Sequence, residues 1–312
     1  MTGSLHVGTT PWNWRPPVNA GLICTQAERA ETMGFHSFWL PENHFNDRAM
    51  PMPLTVLAAA ASRTQTLQLG CTSYLLPIRE PLLAAEEVAV LDNLCDGRLI
   101  LGLGRGIQAA MFRAFGVDSK DKRTLFYSHL EQMRSAWRGE PLVEGGSDHD
   151  PVFLSPLPVQ RPEPILWIAA FGPKALRQVA ELGLPYLASP LESLDVLVQN
   201  YARLQVLRQE YGHGPVETVP VMRTVFISND DTRLRAISER LDKSIAPAMR
   251  DRAGAIDDWA LIGSAEAVRD RLAKYREALD LTHLIARAGI PGIDESAQLE
   301  SHEALLRICE EG

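Results

Sequence analysis

Short apolar runs alternate with helix-length amphipathic segments along nearly the whole chain, and this alternation constrains the fold more than any single motif. Strands that each feed a helix build a parallel sheet, because the helix carries the chain back to start the next strand. Strands are expected at 5–10, 35–40, 67–74, 99–101, 165–170, 186–189, 219–227 and 282–286. Helices are expected at 25–34, 53–62, 81–95, 107–115, 121–137, 173–182, 193–211, 230–245, 265–279 and from Glu295 onward. The first helix is placed by the capping-box spacing of Thr25 and Glu28, and the third by Pro81, which suits a first turn. Eight strand-led units in 312 residues predict an α/β chain folded as one (β/α)8 TIM barrel over 1–312. Residues 139–164, rich in Pro and Gly, are expected as a surface insertion.

Composition narrows the function. A net charge of -8 argues against a nucleic-acid binder, which needs Lys and Arg to neutralise phosphates. No apolar run is long enough for a bilayer, and no signal-like pattern opens the chain, so a cytoplasmic protein with no membrane partner is expected. Cys24, Cys71, Cys95 and Cys309 are scattered and read as reduced thiols. No pair of His or Cys residues stands at metal-ligand spacing, so no metal site is expected. There is no Gly-x-Ser-x-Gly elbow, and Asp148-His149-Asp150 reads as a solvated turn in the insertion.

In a barrel, ligands meet the C-terminal ends of the strands. The stretch 96–106, DGRLILGLGRG, combines a turn, a buried strand and a glycine-rich end carrying Arg105. Gly104 and Gly106 allow close approach of a ligand or of another backbone, and Arg105 offers a planar fork of donors to phosphate. The spacing is Gly-x-Gly-x-Gly and not that of a dinucleotide fold; a plain structural turn is the competing account. Glu42, Asn43 and His44 form the most polar cluster after a strand, with His44 suited to acid or base work. A capping or solvated loop would use the same residues. Ala170, Phe171, Gly172 and Lys174 lead from a strand into a helix, whose free N–H groups attract phosphate; an ordinary strand-to-helix turn is the alternative. Trp12 and Trp14, after the first strand, are expected to line a cavity.

These segments, taken together and in order, resemble the luciferase-like flavin-dependent monooxygenases, within them the bacterial luciferase branch. The resemblance rests on FWLPENHF (38–45), on LLPIREPLLAAEEVAVLDNLCDGRLILGLGRG, on MFRAFG (111–116), on LWIAAFGPKALRQVAELGLPYLAS (166–189) and on IGSAEAVRDRL (262–272). It implies a (β/α)8 barrel that holds reduced FMN, with Arg105 at the flavin phosphate and Thr72-Ser73 at the family's non-proline cis peptide beside the flavin ring. Phe171, Gly172 and Ala175 fall where the branch has polar phosphate contacts, so backbone N–H groups and Lys174 would serve instead. Asn43 stands where the luciferases carry the histidine most tied to catalysis, and His44 matches their second histidine. The loop over 246–261 is shorter than the family's mobile active-site loop. The implied activity is oxygenation of a small organic substrate by dioxygen and reduced FMN from a separate flavin reductase, in a homodimer. Hydride transfer with a deazaflavin, as in sister branches, and a non-catalytic flavin-binding subunit are the alternatives. The loops around 12–14, 46–52 and 249–259 are expected to set the substrate.

Overall fold

The computed structural model describes residues 4–14, 18–47, 49–245, 250 and 254–311. Of the expected substrate loops, 12–14 is described throughout, whereas residue 48 of the second and residues 249 and 251–253 of the third lie outside the described residues. The strands are β1 (His6–Thr9), β2 (Ser37–Leu40), β3 (Gln68–Leu75), β4 (Leu99–Gly104), β5 (Ile165–Ala169), β6 (Tyr186–Leu187), β7 (Pro220–Ile227), β8 (Ala260–Gly263) and β9 (His283–Arg287). The helices are α1 (Ala20–Met33), α2 (Pro53–Ala61), α3 (Pro81–Leu94), α4 (Ala109–Ala114), α5 (Lys122–Trp137), α6 (Pro173–Leu182), α7 (Leu194–Glu210), α8 (Asp231–Ser244), α9 (Ile256–Trp259), α10 (Ala265–Leu279) and α11 (Glu295–Glu311). The strands make a nine-stranded sheet whose described ladders are parallel, as the alternation requires.

Two sequence expectations are corrected. A ninth strand, β8, lies in ALIG, a four-residue run between helices that pairs with β7 from Thr224↔Ala260 to Ile227↔Gly263. It is too short for periodicity to reveal. Helix α1 begins at Ala20 and not at Thr25, because Asn19 Oδ1 accepts the Leu22 N–H at 3.0 Å. Thr25 is thereby left inside the helix, and the Thr25/Glu28 spacing is a coincidence.

The chain divides into two compact units. One comprises Arg15–Glu28 and Leu40–Ala169. Within it β4 is flanked by β3 and β5, and every β4 residue is buried, as a strand covered on both faces must be. The turn before β4 uses left-handed backbone at Asp96 (φ 51°) and Gly97 (φ 72°). Arg98 then spends its guanidinium on Thr64 Oγ1 and the carbonyls of Leu67, Ala61, Thr64 and Cys95, so this buried arginine ties the α2–β3 turn to the start of β4. The 139–164 segment contains no helix and one antiparallel bridge, Val143↔Val152. It is anchored by Gln160, whose side chain donates to Asp92 at 2.7 Å and to Leu99 O at 2.9 Å.

The other unit comprises Met1–Trp14, Arg29–Trp39 and Ala170–Gly312. Here β1 sits between β2 and β9, β9 pairs onward with β7, and β7 with β8. Gly8 leaves room for Trp39: a Cβ built on it would come within 2.8 Å of the indole nitrogen. Trp12, expected at a cavity wall, is 1% exposed. Its indole N–H donates to His302 Nδ1 at 2.9 Å, which packs it against α11. Arg223 lies inside β7 and donates to Tyr275 Oη and to the carbonyls of Met222 and Glu192.

Candidate active site

The first unit gathers most of the residues singled out at strand ends. Glu42 follows β2, and its carboxylate is used on both oxygens. Oε1 lies 2.8 Å from His44 Nε2 and 2.8 Å from Arg79 Nη1, and Oε2 accepts the Leu75 N–H at 2.9 Å. The Glu42 side chain is wholly buried and its charge is matched by Arg79, the arrangement a buried carboxylate needs. Arg79 lies 3.8 Å over the Tyr74 ring, and the Tyr74 hydroxyl donates to Glu87 at 2.6 Å. Burial raises the Tyr74 hydroxyl above its ordinary range, so it stays protonated. His44 is buried, held by Glu42 on one side, with the Phe115 ring edge-on at 5.1 Å. Asn43 is half-buried and folds its own loop: its Oδ1 accepts the Met50 N–H at 3.2 Å and Asn46 Nδ2 at 3.3 Å.

The Thr72–Ser73 peptide is cis. The β3/β4 register shifts there, with Thr72 opposite Gly102 and Tyr74 opposite Leu103, so Ser73 is the extra residue of a bulge. Gly104 is required by this bulge: a Cβ on it would stand 2.8 Å from Ser73 Cβ. Gly106 takes φ 74° and lets the chain turn over Met111 and Phe112.

Arg105, between these glycines, is half-buried. Two further cations belong to its surroundings, Lys122 and Arg123, the first two residues of α5. Lys122 Nζ reaches Gly106 O at 3.5 Å. Burial and the neighbouring Arg123 lower the Arg105 pKa; burial, Arg105 and Arg123 lower that of Lys122. Among the described residues no salt bridge joins Arg105 or Lys122 to a carboxylate. The Asp121 side chain does not cap α5, so the helix start presents its N–H groups beside these cations. Clustered cations and an uncapped helix N-terminus together are the donor set that binds a phosphate. The sequence reading missed Lys122 and Arg123, which stand among the polar residues of an ordinary amphipathic helix. It also passed over Arg79 inside the LLPIRE motif.

Ala170, Phe171, Gly172 and Lys174 belong to the other unit. Gly172 caps α6 with φ 82°, and a Cβ there would meet nothing within 4 Å, so glycine is called for by backbone conformation and not by crowding. No side chain caps this helix either, and Lys174 is exposed.

The fold is thus a parallel α/β sheet with a cluster of cations beyond the end of β4. The sequence profile of the luciferase-like monooxygenases matches residues 10–282, and the chain belongs to that enzyme family. An uncharacterised Sinorhizobium fredii protein, y4wF, is 37% identical over 163 residues, 51% of this chain and 47% of its own length. The oxygenase component of a flavin-dependent trigonelline monooxygenase from Acinetobacter baylyi is 27% identical over 181 residues, 57% of this chain and 49% of its own length. The chain thus spans about half the length of these curated relatives. Among solved structures, the monooxygenase RslO1 from Streptomyces bottropensis superposes with TM-score 0.80 at 25% identity, covering 97% of this chain and 99% of that one. The oxygenating constituent of Pseudomonas putida 3,6-diketocamphane monooxygenase, solved with FMN, superposes with TM-score 0.82 at 20% identity over 97% of each chain. Among the described residues no helix is long and apolar enough to cross a membrane.

Proposed function

We propose that this chain is the oxygenating component of a two-component flavin-dependent monooxygenase, taking reduced FMN from a separate reductase and using dioxygen on a small organic substrate. The observation that carries this reading is the cluster of Arg105, Lys122 and Arg123 at the start of α5, joined to Gly104, Gly106 and the cis Thr72–Ser73 bulge. Reduced FMN, when bound, supplies the electrons with which dioxygen is split between substrate and water. The chain's own share is binding, orientation and exclusion of water. Arg105, Lys122 and Arg123 hold the phosphate, and Thr72 and Ser73 carry the ring. Glu42 fixes the orientation of His44, which holds a proton at the reacting edge, while Asn43 shapes the adjoining loop. From the family resemblance, Ala170, Phe171, Gly172 and Lys174 are read as flavin-binding through backbone N–H groups, and Lys174→Ala tests the role of Lys174.

The nine strands are read as a (β/α)8-type barrel with one added strand, in one domain over 1–312. Leu83, Val90 and Leu94 are exposed on one face of α3, which supports a homodimer of this soluble, cytoplasmic type of enzyme. A deazaflavin-dependent hydride transfer is the second reading. It is favoured by the fold likeness to an F420-dependent secondary alcohol dehydrogenase, TM-score 0.79 at 17% identity. Anaerobic titration with reduced FMN and with reduced deazaflavin, followed by admission of dioxygen, tests the proposal. Tight FMN binding with slowed reoxidation is expected; deazaflavin binding alone would select the second reading, and no binding of either would end both.

A further inference from the structure

His6 opens β1, His36 leads into β2 and His283 opens β9. In the parallel register His6 is the partner of His283, and the His36 N–H donates to Val7 O at 2.7 Å. Three segments far apart in sequence thus bring three imidazoles together at the strand starts of one unit, opposite the strand ends where ligands of such folds bind. Their ring centroids are 4.2 Å (His6–His36), 4.8 Å (His6–His283) and 5.6 Å (His36–His283) apart. One ring nitrogen from each lies within 4.8 Å of the others. The absence of a short ligand spacing, which argued against a metal site in the sequence, therefore does not bear on this cluster.

Ring stacking by itself accounts for the contacts but leaves one atom unexplained. His36 Nδ1 is buried and has no hydrogen-bond partner, an uncommon state for a buried polar nitrogen. His283 is steadied on another side: Thr282 Oγ1 lies 2.9 Å from its Nδ1 and accepts the Val219 N–H at 2.8 Å. With Oγ1 accepting the Nδ1–H, the Nε2 of His283 is left bare as the metal-binding nitrogen. His6 is exposed and free to change rotamer. Zinc–nitrogen bonds of about 2.0–2.1 Å set ligand nitrogens roughly 3.3 Å apart, so the three nitrogens, within 4.8 Å of one another, draw together when the ion binds.

We propose that His6, His36 and His283 form a three-histidine site for a divalent transition-metal ion of the zinc type, with the remaining coordination position open to solvent on the His6 side. Imidazole nitrogens select zinc, copper and nickel over magnesium and calcium. The ion would clip the first strand to the last, and because it binds only the folded chain it would raise stability by mass action. This inference is independent of the flavin reading.

The test uses the full chain without a histidine tag, stripped with chelator and titrated with Zn2+ alone, read by calorimetry and by thermal unfolding. One equivalent should bind and the unfolding temperature should rise. His6→Ala and His283→Gln should each weaken binding by about tenfold or more, while His149→Ala, in the 139–164 segment, should leave it unchanged. Co2+ should give the visible bands of a four-coordinate ion in the parent and lose them in His6→Ala. Unfolding curves without metal establish that each variant is folded. Failure to bind one equivalent, binding kept in full by His6→Ala, or loss on His149→Ala would each overturn the proposal.

Discussion

Replacing Glu42 with glutamine keeps the shape of the side chain and removes its charge. Three donors converge on this buried carboxylate: Arg79 Nη1 at 2.8 Å, His44 at 2.8 Å and the Leu75 N–H at 2.9 Å. An amide has one acceptor oxygen, so its NH2 must face at least one of these donors, and Arg79 loses its counter-ion. Removing one member of a buried ion pair costs about 3–5 kcal/mol. Arg79 keeps its stacking on Tyr74 at 3.8 Å and its bond to Leu75 O at 3.3 Å, which places the loss at the low end of that range. About 3 kcal/mol corresponds to a fall in unfolding temperature of roughly 6 °C or more in a chain of this size. Thermal unfolding of Glu42→Gln, Arg79→Met and the double variant measures it. The double variant should be less destabilised than the sum of the singles, by about 1 kcal/mol or more. A Glu42→Gln melting temperature within about 1 °C of the parent, or strictly additive losses, would show that the network does not stabilise this end of β3.

Gly104→Ala should push Ser73 out of place and cost about 1–3 kcal/mol in urea unfolding, the usual penalty for overpacking; unchanged stability would mean that the bulge yields freely. His302 is fully buried and held down to about 3 by burial, against 6.5 when unfolded. The unfolded chain then binds the extra proton between those values, so this group's contribution is complete above pH 6.5 and is lost as pH falls toward 3. Between pH 7 and 5 it should remove about 2 kcal/mol, and His302→Gln, which can still accept from Trp12, should flatten that part of the pH–stability curve; an identical slope would remove His302 as the cause. His44→Ala should lower turnover more than reduced-flavin affinity, and equal turnover would return His44 to a purely structural role beside Glu42.

The sequence was most informative where a local rule governs the backbone. Gly97 and Asp96 turn the chain before β4, Pro81 opens α3, and Gly172 opens α6, each because its residue type suits the required conformation. Where a global contact decides, local rules fail. β8 exists because β7 offers an edge to a four-residue run, and α1 starts at Ala20 because Asn19 reaches Leu22. At the site, Arg105 and the Thr72-Ser73 pair stood out through glycines and the family resemblance. Lys122 and Arg123 did not, since only folding brings the start of α5 to Gly106. The histidine cluster was hidden for the same reason, as its members are joined by strand register and not by spacing.

The central claim is that Arg105, Lys122 and Arg123 receive the phosphate of a reduced flavin. Anaerobic titration with reduced FMN and with reduced riboflavin, which lacks only that phosphate, tests it most directly. One to two charge-assisted hydrogen bonds at about 1.5–3 kcal/mol each predict that FMN binds at least about tenfold more tightly, and that Arg105→Ala removes most of this preference. Equal affinity for the two flavins, or a preference undiminished in Arg105→Ala, would contradict the account.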